Sequence, residues 1–385
     1  EDVALMKKMG LKSYRFSVSW SRILPDGTEK INQKGIEFYQ SLVRELKAAG
    51  IEPMVTLYHW DLPYALYLQG GWKNPQIPDW FAAYTKIVVE ALSDQVQYWM
   101  TLNEPQCFVG IGHLQGRHAP FLDEPASLRP VTRHVLLAHA KAVQTIRQYA
   151  KLPPKVGYAP TGPVFSPCGD ESEAAIAEAY RRTMEVEGCY SISWWCDPVL
   201  LGRVPEPMAK ALGADVFTPQ ELELLHQPLD YLGFNVYNAC AAQQPGSEYT
   251  VNTWQGSPRT AMEWPITPDC IYWAIRFLNQ RYGRPILITE NGMANTDFVM
   301  LDGKVHDPQR IDYVHRHLLA ARRALQEGYP LIGYTYWSIM DNYEWAEGYS
   351  KRFGLIYVDY RTMERIPKDS AAWYAHVIAT NGSEL

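Results

Sequence analysis

Seven short runs rich in β-branched and aromatic residues recur along the chain, at 13–20 (SYRFSVSW), 52–61 (EPMVTLYHWD), 96–105 (VQYWMTLNEP), 155–163 (KVGYAPTGP), 229–237 (DYLGFNVY), 285–292 (PILITENG) and 331–341 (LIGYTYWSIMD). Each reads as a buried β-strand. Between them apolar residues return every three or four positions. Segment 35–49 places Ile36, Tyr39, Leu42, Val43 and Leu46 on one helical face, and 308–327 has Asp307 as N-cap with Pro308 at the first helical position. The opening EDVALMKKMG, with Val3, Met6 and Met9 on one side, predicts a helix ending at Gly10. The long interval 164–228, with its polar stretch GDESEAAIAEAYRR and further helix-like sequence, reads as an elaborated loop on the same domain. Strand and helix alternating throughout predict an α/β fold built on a parallel sheet.

Two architectures have that alternation, an open doubly wound sheet and a closed (β/α)8 barrel. The strand runs end in polar or aromatic residues: Arg15 and Trp20, His59 to Asp61, Asn103 and Glu104, Asn235 and Tyr237, Glu290 and Asn291, Trp337 and Asp341. An open sheet gathers its ligand groups at one switch point, whereas a barrel collects them from nearly every strand at its C-terminal mouth. The pattern therefore predicts the barrel, as one catalytic domain over residues 1–385. No GxGxxG or GxxxxGK follows any strand, so no nucleotide cofactor is expected. Strand starts lie about 53 residues apart on average, and eight such units need about 40 residues more than the chain holds. The first strand of the barrel is the one the spacing finds missing, so the domain is expected to be N-terminally incomplete.

Charge and composition narrow the function. Lys and Arg number 36 against 42 Asp and Glu, a net −6, with no run of five like charges, so no nucleic-acid partner is expected. No stretch of 18 apolar residues or leader-like segment is present, and no membrane association is expected. The six cysteines (Cys107, Cys168, Cys189, Cys196, Cys240 and Cys270) are scattered without a CxxC pair, which reads as free thiols in a reducing, cytoplasmic setting. Aromatic residues reach 13%. Most, including Trp20 and Trp60, are expected in the core; those beside polar strand ends suit the flat face of a sugar ring.

Glu104 and Glu290 each close a strand run (WMTLNEP and ILITENG). A carboxylate at the C-terminal end of a barrel strand reads as catalytic, and a pair suggests glycoside hydrolysis, one carboxyl protonating the leaving oxygen while the other attacks or activates water. Position alone leaves two unrelated structural glutamates as the alternative. Asn103, next to Glu104, is placed to reach a sugar hydroxyl. His59 has no HExxH context and no second ligand at metal spacing, so no metal site is expected. Arg15, on an otherwise apolar strand, calls for a carboxylate partner, for which Glu290 is the natural candidate.

TLNEP around Glu104, ITENG around Glu290, YRFSVSWSRILPDG at 14–27, LYHWDLP at 57–63, GFNVY at 233–237 and DNYEWAEGYSKRFGL at 341–355, in this order, resemble family 1 of the glycoside hydrolases, the retaining β-glucosidases. The resemblance implies Glu104 as general acid/base and Glu290 as nucleophile, oriented by Arg15 and Tyr237. It implies His59 and Asn103 on hydroxyls of the sugar, Trp337 as the floor beneath it, Asn235 close to the catalytic pair and Trp264 on the aglycone side. Glu344 and Trp345 would bind the 4- and 6-hydroxyls of an unmodified sugar, where relatives that cleave 6-phosphosugars carry Ser and Lys. A carboxylate there repels a phosphate dianion, so small neutral β-glucosides or oligosaccharides are the expected substrates, with galactosides and fucosides as side substrates.

Similar enzymes begin with a strand carrying a Gln-Ile-Glu-Gly-type segment whose Gln binds the 3- and 4-hydroxyls, and that segment does not occur here. Either the strand lies outside this sequence, or the chain is a seven-stranded remnant with the runs at 13–20 and 331–341 as open edges. The competing readings are a sugar-binding remnant without turnover and a 6-phospho-β-glucosidase. No cofactor is called for, and the sequence leaves the oligomeric state open.

Overall fold

All seven strand runs fold as strands in the computed structural model, which describes residues 1–167, 171–241 and 256–385. In chain order the strands are β1 (Ser13–Ser17), β2 (Glu52–Tyr58), β3 (Tyr98–Asn103), β4 (Lys155–Ala159), β5 (Val164–Ser166), β6 (Leu232–Asn235), β7 (Ala239–Ala241), β8 (Ile286–Asn291), β9 (Leu331–Tyr336), β10 (Ile356–Val358) and β11 (Arg365–Pro367). They distribute over two compact units. Of the cysteines, Cys168 lies outside the described residues, and no disulfide joins the five that are described. Among the described residues no helix is long and apolar enough to cross a membrane.

One unit comprises residues 13–162 and 184–234. Its parallel sheet runs β1-β2-β3-β4, with Ser13 opposite Glu52 and Met54 opposite Tyr98. Pro53 to Tyr58 of β2 are buried without interruption, because both faces of a parallel sheet are covered and an alternating pattern would bury polar groups. The helix Gln33–Ala48 starts three residues before its apolar face does and buries Ile36, Tyr39, Val43 and Leu46. Gly35 at its start meets the Arg22 carbonyl so closely that a Cβ would lie 2.2 Å from that oxygen. The helices Ile77–Leu92 and Leu128–Tyr149 pack on each other. The helix-like sequence of interval 164–228 contributes to this unit the helices Ile192–Leu200, Glu206–Leu212 and Pro219–Leu225.

The other unit comprises residues 1–12, 163–183 and 235–385. It contains the parallel pairs β8-β9 and β5-β7 and the antiparallel pair β10-β11. Every residue of β8 is buried, while β9 is half-exposed along its length. The expected first helix forms over Asp2–Lys8, where Asp2 pairs with Arg365 and Met9 packs on Leu355 and Ile356. The predicted helix after Asp307 spans Pro308–Gln326, but Asp307 caps nothing with its side chain. Its carboxylate accepts instead from the Ser370 amide and hydroxyl and pairs with Arg310. An N-cap motif read locally is here taken over by a partner 63 residues away.

Several histidines are held neutral by burial. His139, 2.6 Å from the Thr101 hydroxyl, is pushed down to about 3, and His113 and His317 to about 4. Each folded value lies below the ordinary 6.5, so as pH falls the unfolded chain takes up protons first. Their contribution is complete above about pH 6.5 and drains as pH drops toward the folded values, by about 2 kcal/mol for each such histidine at pH 5. Urea midpoints should accordingly fall steeply from pH 7 to pH 5, and His139→Asn should make that decline shallower by about one proton. A midpoint that stays flat over this range would remove the assignment.

Candidate active site

The two predicted glutamates belong to different units, and each is built into a strand end by a distinct set of bonds. Glu104 follows β3 directly. Its amide donates to the Ala159 carbonyl at the end of β4 (2.9 Å), and its φ of 43° bends the backbone out of the strand. Such a left-handed non-glycine conformation costs of order 1–3 kcal/mol and persists where the surroundings over-determine it. They do so here: the Cys107 amide donates to the Glu104 carbonyl (2.9 Å), and Gln106 in the next turn donates to the Thr161 carbonyl (2.5 Å). The Cys107 thiol lies 3.1 Å from Oε2 of the buried Glu104 carboxyl and donates to it.

Asn103 is fully buried beside it. The Arg15 guanidinium, which has only donors, contacts Asn103 Oδ1 at 2.7 Å and the Thr56 hydroxyl at 3.1 Å. That fixes the amide so that its NH2 faces His59 Nε2 at 3.1 Å, which makes Nε2 the acceptor and puts the ring proton on Nδ1. Burial, with the charge of Arg15 adding to it, pushes His59 down to about 3, so the imidazole is neutral at any working pH. Trp60 departs from its expected place in the core. It is half-buried with φ of 82°, and its indole N–H donates to the Asn103 carbonyl (2.9 Å), tying the end of β2 to the end of β3. Trp20, by contrast, is wholly buried as expected.

In the other unit Glu290 sits one residue before the end of β8 with its side chain buried. The Tyr237 hydroxyl donates to its Oε2 at 2.8 Å. Backbone bonds lock this geometry: the Val236 amide donates to the Glu290 carbonyl (3.0 Å) and the Trp337 amide to the Asn291 carbonyl (2.8 Å). Asn235 accepts from the Thr289 hydroxyl (2.6 Å), so its side chain lies against the residue that precedes Glu290. The Asn291 amide donates to the Val236 carbonyl (2.8 Å), and the Tyr313 hydroxyl to that of Tyr237 (2.8 Å). The ring of Tyr237 packs at 5.1 Å from Trp264, and both touch Phe353. Gly292 allows Trp337 its position, since a Cβ there would lie 1.9 Å from the Trp337 carbonyl oxygen.

Glu344 and Trp345 stand on the loop after β9. The Glu344 amide donates to the Gly348 carbonyl (2.7 Å), and Trp345, at φ 41°, begins a short 3-10 turn over Trp345–Glu347. One unit therefore brings Arg15, His59, Asn103 and Glu104 together. The other brings Asn235, Tyr237, Trp264, Glu290 and Trp337 together and carries Glu344 and Trp345 on its own loop. Sequence reasoning gave no site role to Thr289, Tyr313, Phe353 and Cys107, and named Asn291 only as a polar strand end. Only Thr289 and Asn291 carried a local signal, as polar neighbours of a strand-end glutamate.

Taken as a whole, the chain is similar to known proteins. Residues 1–383 match the sequence pattern described as "Glycosyl hydrolase family 1". The chain is 42% identical to "Beta-glucosidase A" of Thermotoga maritima, an alignment that takes in 100% of this chain and 86% of that protein. It is 37% identical to a "Bifunctional beta-D-glucosidase/beta-D-fucosidase" of Bifidobacterium breve, over 100% and 87%. The solved structure of the beta-glucosidase from Thermotoga maritima in complex with glucoimidazole superposes with a TM-score of 0.89 at 40% identity, covering 99% of this chain and 86% of that one.

Proposed function

The chain belongs to glycosyl hydrolase family 1, and from that premise we propose that it is a retaining β-glucosidase removing terminal β-D-glucosyl residues from β-glucosides and cello-oligosaccharides. Membership makes it a glycoside hydrolase of the (β/α)8 barrel class that the strand-end pattern predicted. The observation that carries the finer reading is the buried carboxylate of Glu290 with the Tyr237 hydroxyl 2.8 Å from one of its oxygens. A phenol donor aims a carboxylate without adding a charge against it, which is what a nucleophile needs.

In the first step a Glu290 oxygen bonds to the anomeric carbon as the glycosidic C–O bond breaks, and Glu104 gives its proton to the departing oxygen. In the second, Glu104, now a carboxylate, takes a proton from water as the water oxygen bonds to the anomeric carbon and Glu290 leaves. Asn103 and neutral His59 bind hydroxyls of the glucosyl unit, Trp337 forms its floor, Arg15 aids Tyr237 in orienting the nucleophile, Asn235 lies close to it and Trp264 lines the aglycone side. Glu344 and Trp345 take the 4- and 6-hydroxyls. Lys351, the cation in that loop able to attract a phosphate, donates instead to the Ala261 carbonyl (2.6 Å), which favours neutral glucosides over their 6-phosphates.

Incubation with 2,4-dinitrophenyl 2-deoxy-2-fluoro-β-D-glucoside should release one equivalent of dinitrophenol, and the adduct should map by mass spectrometry to the peptide containing Glu290. Turnover of ordinary β-glucosides with no trapped adduct, or an adduct on another carboxylate, counts against the assignment.

A further inference from the structure

Beneath the loop of Glu344 and Trp345 lies a cluster of charges that the proposed chemistry does not use. The side chains of Asp297, Asp307, Arg310, Asp341 and Lys368 are buried to within 1%, and Arg352 is 15% exposed. Three carboxylates face three cations. Lys368 Nζ donates to Asp297 (2.5 Å) and Asp341 (2.9 Å); Arg310 donates to Asp297 (2.6 Å), to Asp307 and to the Arg352 carbonyl (2.9 Å). Arg352 donates to Asp341 (2.6 Å) and to the Val358 carbonyl (3.0 Å).

Burying that many charges is unfavourable unless the ions are matched, and apolar side chains of the same volume fill a core as well. What apolar packing cannot do is fix direction. Here the directions converge on the neck of one loop. Asp341, on the outgoing limb, accepts through Oδ1 from both Lys368 and the Gly354 amide (2.9 Å) and through Oδ2 from Arg352, so the returning limb is fastened to it. Gly354 is the residue that lets the limbs meet: a Cβ there would lie 2.2 Å from the Asp341 nitrogen. Between these limbs the chain carries Glu344 and Trp345. The hydrogen bonds that hold Tyr237 and Glu290 run through a different set of residues, Asn291 and Tyr313, and the returning limb meets Tyr237 through the ring of Phe353.

We propose that Lys368 and Arg352, acting through Asp341, are positioning residues for recognition of the C4–C6 end of the sugar, and that they set the preference for glucosides over sugars lacking the C6 hydroxymethyl. This rests on the reading that Glu344 binds the 4- and 6-hydroxyls. The loop is a small lever on a rigid neck, so loosening the neck displaces the Glu344 carboxylate while leaving the Tyr237–Glu290 pair in register.

The test compares p-nitrophenyl β-D-glucoside with p-nitrophenyl β-D-xyloside, which has the same ring without the C6 group, for the wild type, Glu344→Gln, Lys368→Met and Lys368→Arg. Glu344→Gln should narrow the glucoside-to-xyloside ratio of kcat/KM by about 10- to 100-fold, the range for hydrogen bonds to a charged group. Lys368→Met should narrow it at least tenfold, mainly through a raised KM for the glucoside, and Lys368→Arg should restore most of it. If Glu344→Gln narrows the ratio but Lys368→Met leaves it unchanged or depresses both substrates equally, the positioning role is wrong and the Glu344 reading stands. If Glu344→Gln itself leaves the ratio unchanged, the Glu344 reading fails and takes the positioning role with it. Should Lys368→Met not fold, Arg352→Met at the edge of the cluster is judged by the same criteria, with Arg352→Lys as its rescue.

Discussion

Replacing Glu290 with glycine should lower kcat for aryl β-glucosides by about 10⁴- to 10⁶-fold, the scale on which removal of a covalent nucleophile is felt. The Tyr237 hydroxyl then loses its acceptor, but the backbone bonds from Val236 to Glu290 and from Trp337 to Asn291 do not involve the deleted side chain. The fold and the sugar-binding groups should therefore survive, and the variant should still bind glucose-like inhibitors. The informative measurement is rescue. Azide in the space left by the carboxylate attacks the anomeric carbon from the nucleophile's side and displaces the leaving group once, giving an α-glucosyl azide. A β-azide, or no rescue in a folded variant, would place the nucleophile elsewhere.

Glu104→Ala should show the opposite stereochemistry and a different dependence on substrate. General acid catalysis contributes about 10²- to 10⁴-fold, and only where the leaving group needs a proton. Cellobiose hydrolysis should fall by the full factor. Dinitrophenyl glucoside should form the glycosyl-enzyme almost normally and then stall, because no base remains to activate water; a burst of phenol followed by slow turnover is the expected trace. Azide attacking that intermediate displaces Glu290 and yields the β-glucosyl azide. The sign of the product thus separates the two glutamates without any structural measurement. An equal loss on cellobiose and on the dinitrophenyl substrate would deny Glu104 its role as acid.

Much of this was legible in the chain because parallel-sheet strands are buried on both faces: a continuous apolar run such as LITE or MTLN that stops at a carboxylate marks a strand end. The helical faces at Ile36, Tyr39, Val43 and Leu46 were readable for the same reason of period. What escaped is whatever depends on a distant partner. Asp307 had the local look of a cap and is claimed by Ser370 and Arg310. Trp60 had the composition of a core residue but turns through a positive φ to reach the Asn103 carbonyl. The buried cluster around Lys368 draws its members from positions 297 to 368, and no spacing rule connects them.

Gly292 has a practical consequence for anyone selecting variants by activity. With the Trp337 carbonyl oxygen 1.9 Å from where a Cβ would stand, no other amino acid fits without pushing Trp337 away from β8. A saturation library will show position 292 as intolerant as position 290, though it contributes no reacting group. Separating the two requires scoring for chemical rescue by azide as well as for turnover: a vacancy at 290 can be filled from solution, whereas a displaced indole cannot.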